Sequence, residues 1–373
     1  MADYELWLTD DSGRRIILLE DIAFASISRT MYGYGTVHVG LPFKSFSVSP
    51  AFLPDRRIDF WRKSAPGYSM RREGSYFIRK WNVYTREEDS VEIIEFYGRS
   101  PIDILRRQCV TSTTAANYSK TDQIDDMMKA IVTDNFITTP QTVPVGEFTV
   151  DGNEALGPSI SHSFFGQNVL DILKDLRDIS ISMNRTLSTD KRIFFDVVEG
   201  PPLAGGGFGY IFRTYASLRG VDRTKATIFS VENGNIERPS YYEDHLDSAT
   251  LASILNLSTP ASNGSATNPD RYLSRWNDIK IVEQTSETTV ALNNSQANRS
   301  LQEASADKSL NVTFVDSPGS DRQPRSLYGI DWDLGDLLPV RFAKKDFNVE
   351  VAIVYITIND RGEENIIGMS RVQ

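Results

Sequence analysis

A single cysteine, Cys109, and three histidines, His38, His162 and His245, are all that 373 residues offer to thiol or imidazole chemistry. One cysteine excludes an intrachain disulfide framework and fits synthesis in a reducing cytoplasm. No two histidines stand at metal-ligand spacing and the cysteine has no second thiol, so no metal site is expected. As a nucleophile Cys109 would need a nearby base, and its sequence neighbours supply none; a small buried hydrophobe is the expectation. Long apolar runs are missing too: nothing approaches the roughly 20 residues that span a bilayer, so no membrane insertion is predicted. The opening Met1-Ala2-Asp3-Tyr4-Glu5 lacks the basic and apolar segments of a secretory signal. A protein so made reaches the outside by lysis or within an assembly. Excess positive charge is also lacking. The net charge of −10 argues against a phosphate-binding surface as the main business of the chain.

What is present is an ordinary globular composition, 40% hydrophobic and 24% charged, in a chain long enough for two or three domains. The charge is uneven. Residues 1–110 carry 16 Lys and Arg against 15 Asp and Glu, which leaves 24 against 35 in the rest. Up to residue 97 the chain reads as about seven short strands: 4–8, 15–19, 23–31, 36–39, 57–62, 75–84 and 91–97. Turn clusters at Asp10–Gly13 and Gly33–Gly35 separate them, the pattern of a barrel or sandwich. Trp61 and Trp81 are expected to anchor its packing. Arginines interleaved with aromatics leave two readings of the outer face, a protein-contact surface and a solvated one with arginine stems laid over apolar neighbours.

Between Ile93 and Arg107 the character changes. Gly98 ends the strand pattern, Ser100 is placed to cap a helix, Pro101 suits its first turn and Asp103 complements its N-terminus. Helices are predicted from Thr121 with Ile124, Met127, Met128, Ile131 and Val132 on one face, and over 167–179 with a stripe from Val169 to Ile179. Strands return at 192–198, 210–215 and 227–231. A mobile polar loop is predicted at 261–270 and a polar, solvent-facing helix over 294–310. The last strands are predicted at 331–341 and 349–358, with Val349, Val351, Ile353 and Tyr355 on one side, and a turn at 359–362 closes a hairpin. The fold class expected is α+β and β-rich. Its parts are a first β-barrel domain over 1–110, an α+β domain with two helices over 111–230, and a second β-barrel domain over 231–373.

Candidate chemistry is thin. Gly205-Gly206-Gly207-Phe208-Gly209 is followed by Tyr210-Ile211-Phe212, a strand and not the helix a phosphate loop needs, so it reads as a turn. The carboxylates Asp122, Asp125 and Asp126, and Asp331, Asp333 and Asp336, are chance neighbours in an acidic chain. A glycosidase needs two at a controlled separation in a cleft. Asp331 and Asp333 alternate with Ile330, Trp332 and Leu334 and are expected on the wet side of a strand, with Asp336 closing a turn. No calcium-loop spacing is present. No catalytic, cofactor-binding or metal residue is therefore assigned, and no cofactor is expected. Tyr241-Tyr242 and Tyr272 are candidate sugar-stacking aromatics under a competing reading as a host-surface carbohydrate-binding protein. A tail-borne cell-wall hydrolase is the weaker alternative.

Two stretches carry a family resemblance. Phe96-Tyr97-Gly98-Arg99-Ser100, running on to Leu105-Arg106-Arg107, and Tyr328-Gly329-Ile330-Asp331-Trp332-Asp333-Leu334-Gly335-Asp336 resemble, in that order, motifs of the Gp37-like tail proteins of siphoviruses, relatives of baseplate hub proteins. The resemblance implies a non-enzymatic hub at the virion tail tip, made in the bacterial host cytoplasm. It implies a homotrimer with two tail-tube-like β-barrels per chain around a helical α+β region. Its partners would be the distal tail protein, the tape measure protein and other tail-tip proteins, with DNA only as passing cargo. The chain ends soon after the second motif, so a receptor-binding or lytic module is expected elsewhere. The acidic excess of the later residues is expected to face the DNA channel.

Overall fold

Alternation of apolar and polar residues builds most of the molecule. In the computed structural model, residues 4–31, 33–43, 53–87, 90–110, 118–138, 147–164, 166–184, 192–204, 206–244, 248–267, 280–304, 307–320, 324–361 and 364–371 are described. The first seven strands are β1 (Tyr4–Thr9), β2 (Arg15–Leu18), β3 (Phe24–Thr30), β4 (Thr36–Pro42), β5 (Arg57–Arg62), β6 (Arg71–Thr85) and β7 (Glu92–Arg99). A 3₁₀ helix, Pro101–Arg107, follows. The middle of the chain contributes β8 (Tyr118–Gln123), α1 (Ile124–Val132), β9 (Phe148–Val150), β10 (Ser159–Phe164), α2 (Val169–Asn184), β11 (Ile193–Pro202) and β12 (Phe208–Ala216). Then come β13 (Ile236–Asp244), β14 (Leu251–Leu255), β15 (Gly264–Thr267), β16 (Lys280–Gln284), α3 (Val290–Glu303), β17 (Asp307–Val315), β18 (Leu337–Phe342), β19 (Lys345–Ile358) and β20 (Glu364–Arg371).

Both ends of the chain build one sheet. Its order is β13-β17-β20-β19-β3-β4-β7-β6-β5-β1-β2, with β18 beside β19. This corrects the expectation of two separate closed barrels. The join is β3 against β19, from Ile353 opposite Thr30 to Ile358 opposite Ala25, and among the described residues no sheet closes on itself. Each of these strands would otherwise leave a row of backbone donors and acceptors unpaired, and pairing them satisfies both rows.

Two long strands turn corners. β6 pairs with β5 along its first half and with β7 along its second, with a register slip between Ile78 and Lys80. β19 pairs with β18 up to Glu350, with β20 from Glu350 onward through a slip between Val351 and Ile353, and with β3 beyond that slip. A bulge lets one strand leave one layer and enter another. It also changes which side chains face inward. Val349 and Val351 are buried before the slip, and Val354, Ile356 and Ile358 after it. The expected single phase through Ile353 and Tyr355 therefore fails, and Tyr355 is exposed. Between the layers lies the main core, in which Leu6, Phe60, Val39, Phe96, Phe314 and Trp332 meet. Trp332 is its fully buried tryptophan; Trp81 is exposed and Trp61 half-buried, so neither plays the anchoring role expected of it.

A second core lies under α1 and α2, where both predicted apolar stripes converge with β11 and β12. Phe77 of β6 and Leu105 of the 3₁₀ helix belong to it and tie the lobe to the sheet. A third, small core forms where α3 packs on the sheet β15-β14-β16. Here the predicted loop is corrected. Residues 260–262 form a 3₁₀ turn and 264–267 a strand, while 268–270 lie outside the described residues. The polar letters hide a packing role: a Cβ on Gly264 would stand 2.3 Å from the backbone of Asn293, so glycine lets α3 lie against the strand. The predicted helix over 294–310 begins earlier and ends at Glu303, because Leu310, Val312 and Phe314 alternate into the main core as β17. Strand 227–231 reduces to one bridge, Phe229 with Val340, and 331–336 is a turn ahead of β18.

Candidate functional site: an assembly surface

The two motif stretches are structural knots. Gly98 does not end β7, which runs to Arg99; a Cβ there would meet Val37 at 2.8 Å. Ser100 makes no cap bond to its own helix, and its hydroxyl accepts the Gly35 N–H at 2.9 Å. Asp103, 3% exposed, receives Arg99 at 3.1 Å, Arg106 at 3.3 Å and Arg107 at 3.8 Å. Arg99, the last residue of β7, thus ties the 3₁₀ helix to the end of the sheet, and the Arg-Arg pair braces the helix from within.

The second motif plugs the main core. Tyr328 and Trp332 are fully buried with ring centroids 5.1 Å apart. Gly329 and Gly335 take positive φ of 81° and 89°, which glycine adopts without a Cβ penalty. Around Tyr328 lies an ionic network. Glu73 on β6 accepts Arg29 at 2.9 Å, Arg71 at 2.6 Å and the Tyr328 hydroxyl at 3.1 Å; Arg29 also reaches that hydroxyl. Asp333 pairs with Arg29 at 3.3 Å and Arg71 at 3.2 Å. Burial alone would raise the Asp333 carboxyl, but the two guanidinium groups outweigh it and hold it below its usual range. Asp331 takes a bidentate Arg325 at 3.0 Å, and Asp336 closes turns through Val221 N–H at 2.7 Å and Asp333 N–H at 2.9 Å. The expected placement of Asp331 and Asp333 on one wet side of a strand is therefore corrected: the segment is a turn, Asp333 lies between Arg29 and Arg71 while Asp331 meets Arg325 at the exposed surface, and Asp336 closes a turn as read from sequence.

The other candidate residues do not converge. Asp125 accepts Leu156 N–H at 2.6 Å and Asp126 accepts Glu154 N–H at 3.1 Å, so the helix start holds a loop. Cys109 is exposed, against expectation, beside its bridge partner Asn168. His162 packs edge-on against Phe164, and burial lowers its pKa. His38 stacks on Tyr97 at 4.2 Å, 3.5 Å from Glu95. Burial tends to raise the Glu95 carboxyl; hydrogen bonds from Tyr97 and Tyr84 and the His38 ring beside it prevail and lower it, and the bond to Glu95 pushes Tyr97 up to about 12. His245 and Tyr272 lie outside the described residues. Among the described residues no group of three His, Cys, Asp or Glu could hold a metal ion, and no helix is long and apolar enough to cross a membrane.

What does stand out is the sheet itself. From β13 to the far half of β6 it runs through eight strands, every neighbour antiparallel. One face is the main core. The other is largely hydroxyl- and amide-bearing in its middle: Ser26, Ser28, Thr36, Thr357 and Asn365 are half-buried or exposed there. Among the described residues this run has two edges; at one, Arg79–Thr85 of β6 extends past β5 and is exposed along its whole length. Trp81 is 39% and Val83 47% exposed, although they sit opposite Phe96 and Ile94, which are 1% and 0% exposed. The other edge is β13, where Tyr242 is 50% exposed and Tyr241 packs on Phe347. No sequence rule marked these edges, because strand order is a long-range property.

The sequence matches no family model and no curated protein. Its fold matches solved structures over the whole chain. The 43 kDa tail protein of prophage MuSo2 from Shewanella oneidensis superposes with a TM-score of 0.61 at 12% identity, covering 100% of this chain and 98% of that one. A tail protein from Neisseria meningitidis gives 0.56 at 11% identity, covering 99% and 97%. The prophage tail protein gp18 of Listeria monocytogenes gives 0.53 at 11% identity, covering 99% and 94%. At these identities the likeness is one of fold.

Proposed function

We propose that this chain is a structural component of a phage-type tail, a hub at the tail tip that assembles as a ring, closes the end of the tail tube and joins it to the tip complex. The observation that carries the reading is the run of eight antiparallel strands whose outer segments, among the described residues, each have a strand neighbour on one side only, in a fold that runs the length of known tail proteins. An exposed strand edge is a template for pairing, and a ring of copies removes both edges at once. A homotrimer is the ring we favour. The two tube-like β-units are then the layers around β6 and around β19, joined at β3–β19 rather than closed within one chain. The distal tail protein, the tape measure protein and other tip proteins are its partners, DNA passes through without being bound, and the site of action is the virion tail tip.

The enzyme reading lacks a site to support it: the carboxylates in question are committed to arginines and backbone amides. Among the described residues the sugar-binding reading rests on Tyr242, since Tyr241 packs on Phe347. Negative-stain microscopy with a mass measurement tests the proposal. The expected result is a threefold ring of three chain masses with a central hole. A single-chain particle at every concentration, or hydrolysis of host cell walls by the purified protein, overturns it.

A further inference from the structure

The arginines around the first motif are more than its fold uses. We infer that Arg79, Arg99, Arg106 and Arg107 form a docking surface for a short acidic segment of a partner protein, one that presents carboxylates beside an apolar side chain. The tail-tip reading gives these residues no task, and the surface does not depend on ring closure.

Among the described residues, two carboxylates serve the four guanidinium groups. Asp103, on the 3₁₀ helix, takes Arg99 at 3.1 Å, Arg106 at 3.3 Å and Arg107 at 3.8 Å. Asp55, in the turn before β5, takes Arg107 at 3.1 Å and Arg79 at 3.2 Å on the same oxygen. Arg107 thus joins the two groups into one patch, with four cations against two carboxylates. Tying the helix to β7 needs only the Arg99 pair. Burial lowers the Arg107 pKa; Asp55 pulls it back up, and Arg79 pushes it down again.

The guanidinium groups are held in place and still wet. Arg99 and Arg106 lie over the Tyr34 ring at 4.4 and 5.7 Å, and Arg107 over Phe77 at 5.3 Å. Arg106 is nevertheless 49% and Arg79 39% exposed. A stacked arginine has already given up much of its rotamer freedom, so its paired N–H donors meet a carboxylate at low entropic cost.

The charge of the whole chain decides between the anions that could bind. A phosphate polymer such as a nucleic acid would run past the patch over a chain of net charge −10 and be repelled there. A short segment meets the patch alone, because exposed charges more than about 8 Å apart are largely screened at physiological salt. Leu53, half-exposed in the same turn as Asp55, offers an apolar contact that a phosphate chain cannot use. Arginine with aromatic and aliphatic neighbours is the make-up of a protein contact.

The test is fluorescence anisotropy on the full chain with a labelled peptide Leu-Glu-Glu-Leu-Glu-Glu, its counterpart Leu-Gln-Gln-Leu-Gln-Gln, and inorganic polyphosphate as competitor. The glutamate peptide is expected to bind and the glutamine peptide not, with added salt weakening the binding. Arg79→Gln with Arg106→Gln removes the two most exposed cations of the four and leaves Asp103 and Asp55 paired with Arg99 and Arg107. Binding is expected to weaken at least about tenfold, the loss of one charge-assisted hydrogen bond, at an unchanged urea midpoint. Asp55→Asn acts in the opposite sense. It removes a competing carboxylate, asparagine accepts the φ of 67° at this position, and binding is expected to tighten. Equal binding of the two peptides, or wild-type binding by the double arginine variant, overturns the proposal. If that variant lowers the urea midpoint, Asp55→Asn decides, and unchanged or weaker binding by it sinks the idea. Polyphosphate binding more tightly than the peptide at equal charge concentration assigns the patch to a phosphate polymer and overturns the acidic-protein partner.

Discussion

Trp332 shows how one residue holds two halves of a fold. Its ring packs against Phe314 and Tyr328, and a Cβ on Gly368 would stand 2.5 Å from it. Its indole N–H has no hydrogen-bond partner among the described residues, so only its apolar bulk is used. Trp332→Phe is therefore expected to cost far less than Trp332→Ala, which removes about 3–5 kcal/mol by leaving a cavity. Urea midpoints of the two variants check the order. Glu73 is the charged counterpart. It is buried and accepts two arginines and a phenol, so Glu73→Ala leaves Arg29 and Arg71 with Asp333 as their shared carboxylate and the Tyr328 hydroxyl without its acceptor, at a cost of about 3 kcal/mol. Asp333 gives the pH dependence. Its folded pKa is lowered, so its contribution is present above the unfolded carboxylate pKa and is lost as pH falls through the folded value. Asp333→Asn is expected to cost more stability at pH 7 than in strong acid, read as the gap between denaturation midpoints of wild type and variant at each pH.

Among elements, the small lobe carries the clearest prediction. α3 rests on β15 through Gly264, and the contact is backbone to backbone. Gly264→Val must push α3 away, and hydrogen exchange is expected to quicken over 290–303 with the main sheet unchanged. An unchanged helix would show that the contact is slack. The elements also show what periodicity conveys. The faces of α1 and α2 were legible, since 3.6-residue spacing of Ile, Met and Leu is a local signal, and β5 was read to the residue. The bulge in β19 was not legible. It inverts an alternation that looks unbroken in sequence, and its cause is the demand of two sheets on one strand. The small lobe hid for a similar reason: glycine, serine and alanine read as loop when they serve close packing.

At the scale of the whole molecule, the α+β lobe is fastened to the sheet by buried arginines. Arg57 donates to the carbonyls of Phe208 at 2.9 Å and of Asp11, and lies 4.6 Å over the Tyr210 ring; Arg72 pairs with Asp59 at 2.9 Å and with Glu199 at 2.5 Å. Arg57→Met leaves two carbonyls without their charged donor and is expected to cost about 3 kcal/mol. Exchange should quicken first at the ends of β11 and β12 that meet the sheet. Uniform quickening everywhere would show that sheet and lobe unfold as one unit.

Composition and pattern alone determined that the chain is β-rich with a helical middle, and where two amphipathic stripes lie. These are local quantities, set by side-chain chemistry and spacing within a few residues. Only the tertiary structure decided that residues 25–30 pair with 353–358 and that Asp333 of the second motif belongs to arginines 262 and 304 positions away. Each depends on which distant segment satisfies a backbone edge or a buried charge. No local pattern encodes that choice, because the energy that makes it is shared between segments that meet only in the folded chain.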